Sequence, residues 1–314
     1  MVIKSDDVAK RAGVSRATVS QILNGRGERF AEATRARVER AAKELQYQPS
    51  AAGRALAKGS SDFIIALVPN TTFGGNLQDL FEAATESLAQ RGLTLVLRLA
   101  TQSPVSLERV VTGMRPRAVL SLQPLSAEER QVLAEHGVPA FDPSVGGDLD
   151  QRIGRLQATH LVERGFRRIA FAHLRDARQD PFGSGREQGV RSVCAEHGLA
   201  EPLILGTGID LTQAADEVAK LGGGYGVACY NDDVAITLLT ASTAAGLDVP
   251  GEVGIIGMDH TPLSQVTLPR LTTVAYDIAT VARNTVATAL AALEEGVSEP
   301  VADLNLRIVS GGTT

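Results

Sequence analysis

The stretch "VAKRAGVSRATVSQILNG", residues 8 to 25 of a 314-residue chain, limits more than any other what the chain can become. Val8, Ala9 and Ala12 fall on one helical face, and Gly13 is the residue type that ends a helix in a left-handed cap. Ser15 is a good N-cap for a second helix in which Val19, Ile22 and Leu23 repeat the helical spacing, and Asn24-Gly25 stops it. Two helices of about two turns each, with almost no loop between them, are too short to be stable alone. The third element they need is expected in "AEATRARVERAAKELQY", 31–47, where Thr34, Val38, Ala41 or Ala42, and Leu45 form one apolar stripe that Pro49 ends. Helix, tight turn, helix is the geometry that lets one helix lie in a DNA groove.

Charge supports that reading only once it is divided along the chain. The net charge is −5, which by itself argues against a nucleic-acid partner. Residues 1–60, however, hold twelve basic and six acidic side chains, so the excess of acid belongs entirely to the remainder. A basic headpiece on an acidic body shows such a reversal, although a solvated helix face accounts for the charge alone equally well. Cys194 and Cys229 lie far apart without a CxxC pattern, and the five histidines have no ligand spacing, so reduced thiols, no metal and no cofactor are expected. No apolar run is long enough to span a bilayer and the N-terminus has no signal-peptide core, which points to a cytoplasmic protein.

From Phe63 the pattern changes to short apolar runs between amphipathic stretches. Strands are expected at 63–69, 93–100, 118–123, 168–174, 225–232 and 253–259, with helices near 77–91, 104–114, 126–136, 184–197 and 233–245. Unbroken β-rich runs between helices imply strands buried on both faces, hence parallel sheets in βα units. There are too many for one compact sheet, so two α/β subdomains with a cleft between them are expected, following a linker with small residues. The domain reading is 1–48 headpiece, 49–61 hinge, 62–314 body.

With these segments in hand, the chain resembles the LacI/GalR (lac-repressor-type) family of bacterial transcription regulators. The resemblance is carried by "DVAKRAGVSRATVSQILNG" (7–25), "TRARVERAAKELQYQPSAAGRALAKG" (34–59), "HLVERGFRRIAFA" (160–172), "REQGV" (186–190), "YNDDVAITLL" (230–239), "GLDVPGEVGIIGMDH" (246–260) and "PRLTTVAYD" (269–277). It implies an all-α helix-turn-helix headpiece on an α/β body of two parallel-sheet subdomains, like a periplasmic sugar-binding protein of type I. It further implies a homodimer that binds double-stranded DNA at a palindromic operator, most often as a repressor, and a small-molecule effector such as a sugar in the cleft. Three departures stand out: Ala31 replaces the usual Ser cap of the third helix, 70–78 lacks paired aromatics, and 139–154 is short. No heptad-bearing tail that could join dimers into tetramers follows the last expected strand.

On the outward face of the second helix, Ser15, Arg16, Ala17, Ser20 and Gln21 lie opposite its apolar residues. The resemblance gives Arg16 and Ala17 the choice between operators, and Arg and Gln can bond guanine and adenine edges bidentately. Ser5, Thr18, Ser20, Asn24 and Tyr47 are candidates for phosphate contacts. In the hinge, the resemblance makes Leu56 a minor-groove wedge flanked by Arg54 and Lys58, where the plain alternative is a contact with the body. In the body, Arg186, Asn231 and Asp259 align with effector-holding residues; the alternative is a structural ion pair between Arg186 and Asp259. Asp148 or Asp150 is a further candidate, placed on the other lobe.

Enzyme signatures are weak. "GTGIDL" (206–211) lacks the third glycine of a dinucleotide fingerprint, "GGGYG" (222–226) precedes a strand, and no Walker lysine or G-x-S-x-G elbow occurs. The competing reading is a cytosolic sugar-binding or sugar-modifying α/β protein without operator function.

Overall fold

Gly13 decides how the N-terminal helices meet. In the computed structural model, which describes residues 3–24, 27–48, 60–71, 75–99, 104–142, 148–178, 180–293 and 304–314, helix α1 (Ser5–Ala12) ends there at φ 65°. Helix α2 (Arg16–Leu23) follows at once, and its N-cap Ser15 accepts a hydrogen bond from the Thr18 amide at 3.1 Å. Helix α3 (Glu32–Glu44) closes the unit, and Val8, Ala9, Ala12, Val19, Ile22, Val38, Ala41 and Ala42 form its core. Arg11 ties α1 to α3 through Glu44 at 2.6 Å. As Ala31 implies, the N-cap of α3 makes no side-chain hydrogen bond. The helix also stops short of Pro49, its expected terminator: Leu45 caps it and Gln46 turns the chain at φ 51°, while Pro49 lies outside the described residues.

The same is true of residues 49–59, and so of Arg54, Leu56 and Lys58. By Ser61 the chain is seated on the body, buried and donating its amide to the Arg115 carbonyl at 2.8 Å.

The first lobe holds β1 (Phe63–Val68), α4 (Gly75–Ala89), β2 (Thr94–Leu99), α5 (Pro104–Met114), β3 (Ala118–Ser121), α6 (Ala127–Glu135) and β4 (Ala140–Phe141). Its sheet is parallel, in the order β2-β1-β3-β4. The second lobe holds α7 (Leu149–Glu163), β5 (Arg168–Leu174), α8 (Gly183–Glu196), β6 (Leu203–Thr207), α9 (Leu211–Ala219), β7 (Tyr225–Cys229), α10 (Asp232–Ala244), β8 (Val253–Met258), β9 (Thr272–Ala275) and β10 (Arg307–Val309). Its sheet runs β10-β9-β8-β7-β5-β6, parallel except for the antiparallel β9–β10 pair. Helix α11 (Ile278–Leu293) follows β9 but packs on the first lobe, where Val286, Ala289 and Leu290 join Ile64, Leu88 and Leu120. The chain therefore returns to the first lobe after building most of the second, a connection that couples the two bodies.

Burial on both strand faces holds for β1, β3, β7 and β8 but not for β2, whose residues are all exposed or half-buried. Strand β2 is a sheet edge with Leu97 and Leu99 left exposed, a placement an apolar run does not announce. No helix among the described residues is long and apolar enough to cross a membrane.

Candidate DNA-reading face and interlobe site

The inward side of α2 is consumed by packing, which leaves a defined outward side. Val19 and Ile22 are buried, whereas Ser15, Arg16, Ala17 and Ser20 are exposed and Thr18 and Gln21 half-buried. Arg16 has 71% of its side chain exposed, with Asp6 the nearest carboxylate at 3.9 Å, so its guanidinium extends into solvent. Two hydroxyl contacts shape this face: Ser15 and Thr18 lie 2.9 Å apart, and the Asn24 amide donates to Ser20 Oγ at 3.2 Å. Ser5 opens α1 and is half-buried, and Tyr47 packs against the headpiece core. Phe30, in the loop before α3, also joins that core, a role its position in a polar loop hid.

The second site is built on Arg186 in α8. Two glycines allow α7 to approach that helix: a Cβ on Gly154 would lie 1.9 Å from the Arg186 carbonyl oxygen, and one on Gly189 would lie 2.1 Å from the Gln151 oxygen. The close approach brings Asp150 of α7 to Arg186, whose Nε donates to its Oδ1 at 3.0 Å. Another guanidinium N–H donates to the Tyr230 carbonyl. The planar group also faces the rings of Phe182 at 5.5 Å and Tyr230 at 5.1 Å, and those rings stack at 6.5 Å. Only 8% of the Arg186 side chain is exposed.

This arrangement corrects one expectation and adds to another. Arg186 is in direct contact with Asp150 while the Asp259 charge also acts on it, and Asp150 belongs to the same lobe as Arg186 because α7 already packs on α8. Asp148 lies at the N-cap of α7 and is exposed.

Asn231 and Asp259 do arrive at the same end of the second sheet. Asn231 caps α10, its Oδ1 accepting from the Val234 amide at 3.1 Å. Asp259 follows β8 directly with φ 106°, a conformation costly for a residue with a Cβ. The buried Asp232 holds that turn in place: its carboxylate accepts from the Thr261 amide at 2.6 Å and from the Thr273 hydroxyl at 2.6 Å. Burial raises the Asp232 pKa above the usual carboxylate range against the pull of these hydrogen bonds.

Charge is concentrated here. Burial opposes the Arg186 charge, but Asp150 and Asp259 outweigh it and raise the guanidinium pKa. Burial likewise raises the Asp150 carboxyl in spite of Arg186, with the Asp180 charge adding to the rise. Tyr230 and Tyr276 are both pushed up by burial beside these groups. Next to them His173 lies between two carboxylates, 2.6 Å from Asp180 through Nδ1 and 2.7 Å from Glu187 through Nε2. Carboxylates on both sides favour a ring that donates from both nitrogens, and although burial works against its charge, the two bonds raise its pKa above the ordinary value. The whole constellation suits hydroxyl recognition: a fixed cation, carboxylates, amide and phenol groups, and an aromatic wall.

Sequence reasoning passed over Tyr230, Phe182, Asp232 and His173. Tyr230 and Asp232 flank Asn231 directly, and their roles follow from the strand ending at Cys229, three residues short of the expected 225–232. "GTGIDL" does form a strand-to-helix turn, but Asp210 caps α9 by accepting from the Gln213 amide at 2.9 Å, placing a carboxylate where a phosphate would bind. Both cysteines are free and buried, and burial raises each thiol pKa.

Comparison with known proteins agrees with both halves. Residues 5–50 match the model of bacterial regulatory proteins of the lacI family, and residues 158–314 match a periplasmic binding protein-like domain. The chain is 30% identical over 309 residues to the HTH-type transcriptional regulator GalR of Escherichia coli (strain K12), covering 91% of this chain and 88% of that one. Among solved structures, the lac repressor dimer bound to operator and the anti-inducer ONPF superposes with a TM-score of 0.75 at 21% identity, covering 100% of this chain and 99% of that one. The transcriptional regulator CelR–cellobiose complex superposes at 0.69 with 22% identity, covering 100% of both chains. A helix-turn-helix headpiece with a solvent-facing α2 joined to a two-lobed α/β body, matched along nearly its whole length by a regulator of the same build, means that this chain belongs to the lacI family of bacterial regulatory proteins.

Proposed function

We propose that the chain represses or otherwise regulates transcription as a homodimer on a palindromic operator, and that a small polyhydroxylated metabolite between its lobes alters operator affinity. The observation that carries the reading is the α2 face: Arg16, Ala17 and Ser20 exposed on a helix whose opposite side is locked into the headpiece core. Arg16 and Gln21 would read base edges with Ala17 from the face that Ser15 opens, while Ser5, Thr18, Ser20, Asn24 and Tyr47 would hold phosphates. In the hinge, Leu56 would wedge into the minor groove while Arg54 and Lys58 flank the backbone. Residues 1–48, 49–61 and 62–314 would then act as headpiece, hinge and body.

The relatives support this assignment: one solved neighbour is a dimer on operator, and another is a complex with cellobiose. On the body, Leu263, Val266 and Leu268 are exposed, the last at 92%, and Leu268 adjoins Leu239 and Ala244. Such a patch fits a second copy of the chain. The protein would work in the cytoplasm, where its DNA lies, by binding rather than catalysis.

Arg186, Asn231 and Asp259 would contact the effector. A thermal-shift screen of the full-length protein with sugars, sugar phosphates and nucleobases tests the site, together with operator binding in the presence of any hit. A hit should shift operator affinity about 5- to 150-fold, the usual range of such coupling. Arg186→Ala should abolish both responses and leave unliganded operator binding intact. Operator binding that no metabolite alters would instead favour an effector-independent regulator.

A further inference from the structure

The two strands that deliver Asn231 and Asp259 part company just before those residues. Strands β7 and β8 keep parallel register from Tyr225↔Val253 to Ala228↔Ile256. Beyond that point the β7 chain stays with β5, the Tyr230 amide donating to Ala172 O at 2.8 Å, and the β8 chain stays with β9, the Asp259 amide donating to Val274 O at 3.0 Å. At the divergence sits Gln157 of α7, fully buried beneath the sheet. Its Nε2 donates to Cys229 O at 2.9 Å and to Gly257 O at 3.0 Å. Each carbonyl lies two residues before an effector candidate, Asn231 on one strand and Asp259 on the other.

The amide orientation follows from chemistry, because both neighbours are acceptors and only the NH2 group can face them. Among the described residues the Gln157 Oε1 has no partner, so the two carbonyls, not the side chain's own acceptor, fix its pose. A buried glutamine with half its capacity unmet is costly, and its placement is explained only by what the other half holds. The same helix carries Asp150, which bonds Arg186. Helix α7 thus bonds the elements that carry all three effector candidates: Arg186 through Asp150, and the ends of β7 and β8 through Gln157.

We propose that Gln157 is a positioning residue of the effector site, fixing the spacing between the ends of β7 and β8 and so between Asn231 and Asp259. The proposal rests on the effector reading of the cleft, and its test separates the two. Full-length wild type, Gln157→Leu and Gln157→Glu are compared by hydrogen exchange and by thermal shift with glucose, galactose, ribose and cellobiose, with hexose and pentose phosphates, and with nucleobases. In Gln157→Leu the Val234, Asp259 and Thr261 amides should exchange at least tenfold faster, together, while the β5–β6 pairing keeps its protection. Affinity for whichever probe binds wild type should fall at least tenfold, with unliganded operator affinity changed less than twofold.

In Gln157→Glu the introduced carboxyl has a donor only when protonated, and then one O–H for two carbonyls, so protection and probe affinity should recover in part between pH 8 and pH 5.5 relative to wild type at each pH. This arm decides the matter if the leucine variant does not fold. Unchanged exchange at either strand end overturns the proposal whatever the probes do. So does a loss of stability with probe affinity unaltered, which is what a merely structural glutamine would give. A wild type indifferent to every probe, with the exchange effects present, overturns the effector reading and the functional role of Gln157 with it.

Discussion

The hydroxyl of Tyr230, past the end of β7 in the second lobe, lies 3.2 Å from the hydroxyl of Thr71, past the end of β1 in the first. Both residues are buried, and Tyr230 also carries the wall against which Arg186 packs. A direct link between the lobes thus runs through the proposed effector site. Tyr230→Phe keeps the stacking on Phe182 and removes only the link. Tyr230→Phe and Thr71→Val should therefore be non-additive, with a coupling of about 0.5–1.5 kcal/mol in a thermal double-mutant cycle. Additive losses would show that the two hydroxyls act separately.

Gly154 lets α7 lie against α8, and no side chain fits there, since a Cβ would meet the Arg186 carbonyl oxygen at 1.9 Å. Gly154→Ala should force the helices apart and cost about 1–3 kcal/mol, the usual range for overpacking. Because the shift separates Asp150 from Arg186, any effector response should weaken as well. Denaturation of the purified variant, read beside its response to the best ligand of wild type, measures both.

His173 makes stability depend on pH. Burial works against its charge, but its bonds to Asp180 and Glu187 prevail and raise its pKa above the ordinary 6.5. Glu187 is in turn engaged by Arg191 at 2.7 Å, and Phe171 meets the ring edge-on at 4.7 Å. A group whose pKa is raised on folding contributes fully below its unfolded pKa and loses that contribution as pH rises through the folded value. His173→Gln should thus lower the melting temperature at pH 6 and much less at pH 9. An equal loss at both pH values would mean that the charge is not what matters.

How much of this was legible depended on the range of the interaction. The headpiece was readable because Gly13, Ser15 and the apolar spacing of Val8, Ala12, Val19 and Ile22 are local signals, and each acts within one or two turns. The βα pattern was readable for the same reason. The edge position of β2 was not, since it depends on which strand becomes its neighbour. Nor was the pairing of Arg186 with Asp150, set by two glycines 35 positions apart on facing helices, Gly154 and Gly189. Gln157 reads as one polar residue on an amphipathic helix; its function exists only where two distant strands diverge above it.

Operator binding as a function of salt tests the central claim most directly. DNA selected from a random pool by the full-length protein should contain a palindrome, and log K for it should fall with log salt by about 0.9 per phosphate neutralised. Arg16→Ala should relax the preference at one base pair in each half-site, a loss of about 1–3 kcal/mol against the preferred base, while other positions keep theirs. No selected sequence, an affinity indifferent to salt, or an Arg16→Ala variant weakened equally on every sequence would contradict the assignment of α2 as the reading helix.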